Sequence, residues 1–386
     1  MIEVTAKLIR GPVYLLGEIV ECGISFTHPP SPQHRVSQSN NDAFESLAWA
    51  SAQIHCQCTT DSKLNRTKTE KKDESNCLIN NTTLSVGNHD SGRTEVATKP
   101  RILFCDLRLS PGQTKTYIYR EKIPGDAPPS YRGQLVKYSY KITIGTQRVN
   151  SPVKLLRVSF RVLPVSVPIL SDISGLCNDT TEELSPANPF LEIKQKETPF
   201  DIALEALQNI TARRNPNFYV ISNIFGKVAR FCLFKPAYKL GEDIIGTFDF
   251  TVATVNCVQV SVSLQCEEET SLDENNKQTK ISTYSKHHEV CLGLKYTQVI
   301  LPIPLHVTPA FSTKLVSLKW RLHFEFVTST NSGLQPPDLD VFDWQAPGEL
   351  SIETMVWDLP IKLFSTTPIL VAQGVQLNNV CKLSIR

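Results

Sequence analysis

Two stretches decide the architecture: Pro12-Val-Tyr14-Leu-Leu16-Gly17-Glu18 and Pro236-Ala-Tyr238-Lys-Leu240-Gly241-Glu242, five identities in seven at an offset of 224 residues. The alternation after each copy stays in phase, because Ile24 and Phe26 of the first fall on Phe248 and Phe250 of the second at the same offset. A one-residue slip would turn every side chain of a strand to its other face, so preserved phase through a turn is the mark of a duplicated β unit. Gly17 and Gly241 supply the unrestricted backbone such a turn often needs. The chain therefore reads as two related β-sandwiches in tandem.

Outward from the repeat, period-two alternation dominates, placing one face of each strand on a core and the other in water. Ile2, Val4, Ala6 and Leu8 open it, and it returns through Val20 to Phe26, Ala50 to Cys56, Leu103 to Leu109, Val136 to Ile144 and Val158 to Val162. In the second half it runs through Ala229 to Leu233, Val258 to Leu264, Val299 to Ile303 and Trp357 to Leu363. The clearest strand is Leu318-x-Trp320-x-Leu322-x-Phe324-x-Phe326, with Lys319, Arg321, His323 and Glu325 on its other face. A second echo sets Val136, Tyr138, Tyr140, Ile142 and Ile144 against Leu318, Trp320, Leu322, Phe324 and Phe326, at an offset of 182. Short strands separated by Pro and Gly turns give an all-β fold of antiparallel sandwiches.

One segment reads as helix, residues 199–214, where Phe200, Ala203, Leu204, Leu207 and Ile210 recur at spacings of three and four. Thr198 suits its N-cap and Pro199 its first turn. The expected layout is a first sandwich over 1–168, a linker over 169–215 carrying the helix, a second sandwich over 216–368 and a C-terminal tail over 369–386. Three polar stretches read as surface insertions: 59–99, 267–289 and 329–348. The first has too few apolar residues to offset the entropy of ordering and is expected to be disordered.

Forty Lys and Arg against 38 Asp and Glu leave a formal charge of +2, so no large field favours nucleic acid. The longest apolar run, Val162 to Leu170, is broken by Pro164 and Pro168 and falls short of the ~20 residues of a membrane span. The first residues lack a signal-peptide pattern. Eleven cysteines, with Cys22, Cys56, Cys105 and Cys257 at alternating positions where a thiol packs as a small hydrophobe, point to a reducing compartment. The sequons at Asn65, Asn80, Asn81, Asn178 and Asn209 then read as chance matches.

No phosphate-binding loop, nucleophile elbow or His-Glu-x-x-His motif gives positive support for catalysis, and no catalytic or cofactor-binding residue is assigned. His55-Cys56-Gln-Cys58 and His287-His288-Glu-Val-Cys291 carry zinc-ligand types, but on a strand His55 points away from Cys56 and Cys58. Pro128-Pro-Ser-Tyr131 fits a WW-domain ligand, yet it runs into an expected strand instead of an exposed polyproline segment. Leu204 and Leu207 are the candidate partner-binding residues, because an apolar helical stripe beside a linker can dock into a groove. The alternative is that the stripe packs on its own domain.

Leu109-Ser-Pro111-Gly112, Tyr117, Tyr119, Ile123-Pro124, Pro128-Pro129-Ser130-Tyr131-Arg132-Gly133 and the strand to Ile144 resemble the arrestin-like superfamily, which includes arrestins, α-arrestins and the retromer subunit of the Vps twenty-six type. More closely, the chain is similar to the Rgp family of retrograde Golgi transport proteins. That resemblance rests on Leu47-Ala-Trp49-Ala-Ser-Ala-Gln53-Ile-His55-Cys56, Ile102-Leu-Phe104-Cys105-Asp106-Leu-Arg108-Leu109, Gln147-Arg-Val-Asn150-Ser-Pro152, Leu240-Gly-Glu-Asp243, Ser317 to Thr328 and Trp357-Asp-Leu-Pro-Ile-Lys362. The resemblance implies two arrestin-like sandwiches and a non-catalytic, cofactor-free role beside a larger Ric-type subunit. Together the pair would form a guanine-nucleotide exchange factor for a Golgi Rab GTPase of class six, in the cytosol and peripherally on the Golgi membrane. An arrestin-like cargo adaptor that binds sorting signals by adding a strand to a sheet edge is the other function this architecture would serve.

Overall fold

The computed structural model describes residues 1–30, 44–60, 92–165, 199–271, 277–330, 349–374 and 380–385. The expected N-cap Thr198 and most of the 59–99 and 329–348 insertions lie outside them. The chain divides into two compact units, Met1–Pro164 with Pro368–Arg386, and Val165–Thr367. The first holds β1 (Ile2–Leu8), β2 (Val13–Leu15), β3 (Ile19–Thr27), β4 (Glu45–Thr60), β5 (Arg93–Ala97), β6 (Arg101–Leu109), β7 (Thr114–Lys122), β8 (Tyr131–Arg132), β9 (Val136–Gln147) and β10 (Lys154–Leu163). The second holds α1 (Pro199–Ala212), β11 (Asn217–Asn223), β12 (Gly226–Leu233), β13 (Ala237–Lys239), β14 (Asp243–Asp249), β15 (Asn256–Ser271), β16 (Lys277–Val290), β17 (Tyr296–Pro302), β18 (Phe311–Ser312), β19 (Val316–Ser329) and β20 (Ile352–Phe364). Then α2 (Pro368–Gly374) and β21 (Val380–Ile385) complete the first unit.

Each unit is a pair of sheets. The first unit has a small sheet in the order β21-β1-β3-β7 and a large one in the order β2-β10-β9-β4-β5, with β6 on β4 and β8 on β9. The second repeats this plan: β11-β12-β14-β17, and β13-β20-β19-β15-β16 with β18 on β19. Inward-facing residues from both sheets form each core. In the second, Phe231 and Phe248 of the small sheet meet Phe324 of the large one at 5.0 and 6.2 Å between ring centres, and Phe326 lies 5.8 Å from Phe248.

The repeat read from the sequence holds atom by atom. Leu16 N–H donates to Leu163 O and Leu240 N–H to Phe364 O. The Glu18 carboxylate accepts Leu15 N–H at 2.8 Å, and Glu242 accepts Lys239 N–H at 2.9 Å. Gly17 and Gly241 turn at φ of 82° and 85°, a region that favours glycine. β2 and β13 both join their large sheets in parallel, on β10 and β20.

The second echo has a different register. Gly133 N–H donates to Val136 O and Thr313 N–H to Val316 O, while Tyr131 pairs Tyr138 and Phe311 pairs Leu318. These set β9 on β19 at an offset of 180, not 182. A shift of two residues leaves the apolar face in place, so alternation alone could not detect it.

Four further expectations change. Residues 380–385 are no tail: β21 pairs antiparallel with β1 from Ile2↔Ile385 to Lys7↔Val380. Most of the 267–289 insertion is β structure, the far part of β15 and most of β16, whose polar faces suit an edge strand held by its backbone ladder. The helix ends at Ala212, before Asn215-Pro216, and lies within the second unit instead of in a separate linker. Cys105 is exposed, because Asp106, at a φ of 61°, interrupts the alternation of β6 that would have turned it inward; Cys22, Cys56 and Cys257 are buried.

Candidate interaction surface

Ala203, Leu207 and Thr211 recur every four residues of α1 and are buried, Leu204 is half-buried and Ile210 is exposed. Of the two candidate partner-binding residues, Leu207 is thus packed inside the second unit, only 2% exposed. The helix is tied to the repeat through Lys235, whose Nζ donates to Thr211 O at 3.1 Å and to Glu242 Oε2 at 2.7 Å, and sits 4.9 Å from the Tyr238 ring centre. A cation at the last carbonyls of a helix complements its dipole. A cleft of about 660 Å³ opens beside this joint, lined by Gln208, Thr211, Arg214, Phe234, Lys235 and Ile245 among others.

Phe234 and Ile245 also belong to the outer face of the small sheet, so cleft and face are continuous. The ladders arrange this face in rows. Phe218 stands beside Cys232, Thr247 and Gln298; Val220 beside Arg230, Asp249 and Tyr296; Ile245 beside Ile300. Phe218 is 65% exposed, Val220 60%, Tyr296 66%, Ile300 50% and Phe234 37%, an apolar patch on a sheet face that would otherwise meet water. Its charges are a pair, Arg230 to Asp249 at 2.8 Å. Hydrogen bonds from Thr251 and then Arg230 hold the Asp249 carboxyl below its ordinary range. The sequence reading missed β11, although Phe218-Tyr219-Val220-Ile221, apolar on both faces between polar residues, was its signal.

The remaining motifs are built into the sheets. Pro128 and Pro129 are buried, Tyr140 OH donates to Pro128 O at 2.6 Å, and Ser130 N–H donates to Val162 O at 2.8 Å. That segment is a packed turn rather than an exposed ligand. His55, Cys56 and Cys58 are all buried, and burial is the main cause that lowers the affinity of His55 for a proton. His288 Nδ1 lies 2.9 Å from Ser261 Oγ, and Cys291 packs with Cys257 in the core. Among the described residues no group of three or more His, Cys, Asp or Glu is placed to hold a metal ion.

Comparison with known proteins gives this scaffold its kin. The family model described as Rgp1 matches residues 38–169 and 171–329. The human "RAB6A-GEF complex partner protein 2" is 42% identical over 388 residues, covering 96% of this chain and 97% of that protein. The Bos taurus protein of the same name is 43% identical over 378 residues, covering 94% and 93%. The chain belongs to the Rgp1 family.

Proposed function

We propose that the protein is a non-catalytic subunit of a heterodimeric guanine-nucleotide exchange factor for a Golgi Rab GTPase of class six. Its partner is a larger Ric-type subunit, and the pair works from the cytosol and the peripheral Golgi membrane in retrograde transport. The observation that carries this reading is similarity along nearly the whole chain to proteins named as partners in a RAB6A-GEF complex. Exchange makes and breaks no covalent bond: it requires a complex that binds the nucleotide-free GTPase better than the loaded one. A sandwich with an exposed apolar face suits that task, as a platform for the subunit that meets the GTPase.

The test is release of a fluorescent GDP analogue from the purified Rab. The co-purified heterodimer should accelerate release at least tenfold over the Rab alone, and this chain by itself should not. Acceleration absent across the Golgi Rabs would overturn the reading.

A further inference from the structure

The two units are copies, so each residue of one small sheet has a counterpart in the other. The ladders match Glu21–Arg120 of β3 and β7 to Ile245–Ile300 of β14 and β17, and Ser25–Thr116 to Asp249–Tyr296. On the neighbouring strands Lys7 corresponds to Cys232, Lys382 to Val220 and Val380 to Phe218. The first unit's outer face mixes polar pairs with scattered apolar residues: Glu21 and Arg120 form an ion pair at 2.8 Å and Ser25 and Thr116 share a hydrogen bond at 2.9 Å, while Ile19, Ile118 and Val380 are exposed beside them. In the second unit the four charges at Lys7, Glu21, Arg120 and Lys382 have become Cys232, Ile245, Ile300 and Val220, while Thr5 and Ser25 have become the paired Arg230 and Asp249, and Ile19 and Ile118 have become Asp243 and Gln298. The backbone accepts charge there, as the first copy demonstrates, so the fold does not require its loss.

We infer that the outer face of the second unit's small sheet, with the cleft beside α1, is the docking surface for the larger subunit of the complex. This rests on the function proposed above. The patch spans four strands ~4.8 Å apart and about six residues at ~3.3 Å, roughly 300 Å² in plan. That suits the apolar centre of a stable interface, which buries about 800 Å² per partner inside a polar rim. Around it, among the described residues, Arg213, Arg214, Lys227 and Lys295 have no ion-pair partner, against the two acids Asp243 and Glu205. The occupant is accordingly an uncharged apolar protein surface with an acidic rim, which a charge-steered association would favour.

The experiment transplants the first copy's ion pair. Ile245→Glu with Ile300→Arg, co-expressed with the larger subunit, should weaken the heterodimer at least tenfold by titration calorimetry while the melting temperature stays within about 2 °C of the parent. The mirror variant, Glu21→Ile with Arg120→Ile, should leave affinity unchanged. Should the double variant fail to fold, Val220→Lys, which copies Lys382, is read by the same criteria. A weakening below tenfold overturns the assignment, as does an equal loss from the mirror variant. Intact assembly with lost GDP release would assign the face to the GTPase instead, and a dimer of the isolated chain that these variants dissolve would assign it to a second copy; both overturn it. Affinity is measured without the GTPase, so a heterodimer that fails to accelerate exchange refutes the proposed function and leaves the docking result standing.

Discussion

Replacing Glu18 by alanine removes the buried acceptor that closes the first repeat turn, and the loss can be worked from its contacts. The carboxylate accepts Leu15 N–H at 2.8 Å and meets Arg10 at 2.7 Å. A hydrogen bond to a charged acceptor contributes about 1.5–3 kcal/mol, a figure that includes the cost of the stranded donor. Arg10 is largely exposed, so its pair adds less than about 1 kcal/mol. The sum is roughly 1.5–4 kcal/mol, and for a unit of this size each kcal/mol moves the melting temperature by about 2–4 °C. Differential scanning calorimetry should therefore show the first unit's transition lowered by roughly 3–16 °C in Glu18→Ala. Glu18→Gln keeps an acceptor and should cost about 1 kcal/mol, or roughly 2–4 °C. Because Glu242 stands in the same place, Glu242→Ala should lower the second unit's transition and spare the first. A Glu18→Ala shift under 1 °C, or a Gln variant as damaged as the Ala variant, would refute the claim that this acceptor closes the turn.

Leu207→Asp should cost the second unit several kcal/mol by burying a carboxylate, whereas Ile210→Asp on the exposed side should be nearly neutral; circular dichroism melts separate them, and equal effects would contradict the packing of α1. At pH 8 iodoacetamide should modify exposed Cys105 in the native protein and spare Cys22, Cys56 and Cys266, whose thiols burial pushes up to about 12; peptide mass spectrometry reads the pattern, and uniform native labelling would contradict it. Asp249 has a lowered folded pKa, so its contribution is present above the ordinary carboxylate range and lost as pH falls through the lowered value; the parent should therefore lose more stability than Asp249→Asn between pH 5 and about 2.5 in acid melts, and parallel curves would count against the Thr251 and Arg230 contacts.

The parts of the fold legible in the sequence were those where one face meets a core. Trp320, Leu322, Phe324 and Phe326 are buried while Lys319 is exposed, because a strand inside a large sheet must bury alternate residues. β16 was misread for the converse reason: as an edge strand with most of both faces in water it carries no apolar stripe, and only its ladder to β15 identifies it. β21 alternates weakly, and its partner β1 lies at the far end of the chain, a distance no local pattern encodes. Register beyond a multiple of two was also hidden, as β9 and β19 show. The candidate surface was least legible: alternation in phase with Phe248 and with Val299 and Leu301 already turns Ile245 and Ile300 outward, but only the sheet order brings them together with Phe218 and Val220 of β11 on one face.

Duplication turns that difficulty into a measurement. Inside each unit the same turn clasp and parallel strand recur, since cores of the same plan impose the same packing, so inner faces distinguish the copies little. Outer faces carry no such constraint; a side chain there answers to whatever lies against it. On the first small sheet the hydroxyl pairs Ser25–Thr116 and Thr27–Thr114 and the Glu21–Arg120 ion pair meet water, with Ile19 and Ile118 exposed singly among them. On the second, the counterparts of Val380, Lys382, Thr116 and Arg120 are Phe218, Val220, Tyr296 and Ile300, a patch that in water would lower solubility with no gain to the core. The copies thus act as each other's control. The difference between their outer faces is independent of the fold they share, and covering by another protein is what offsets its cost.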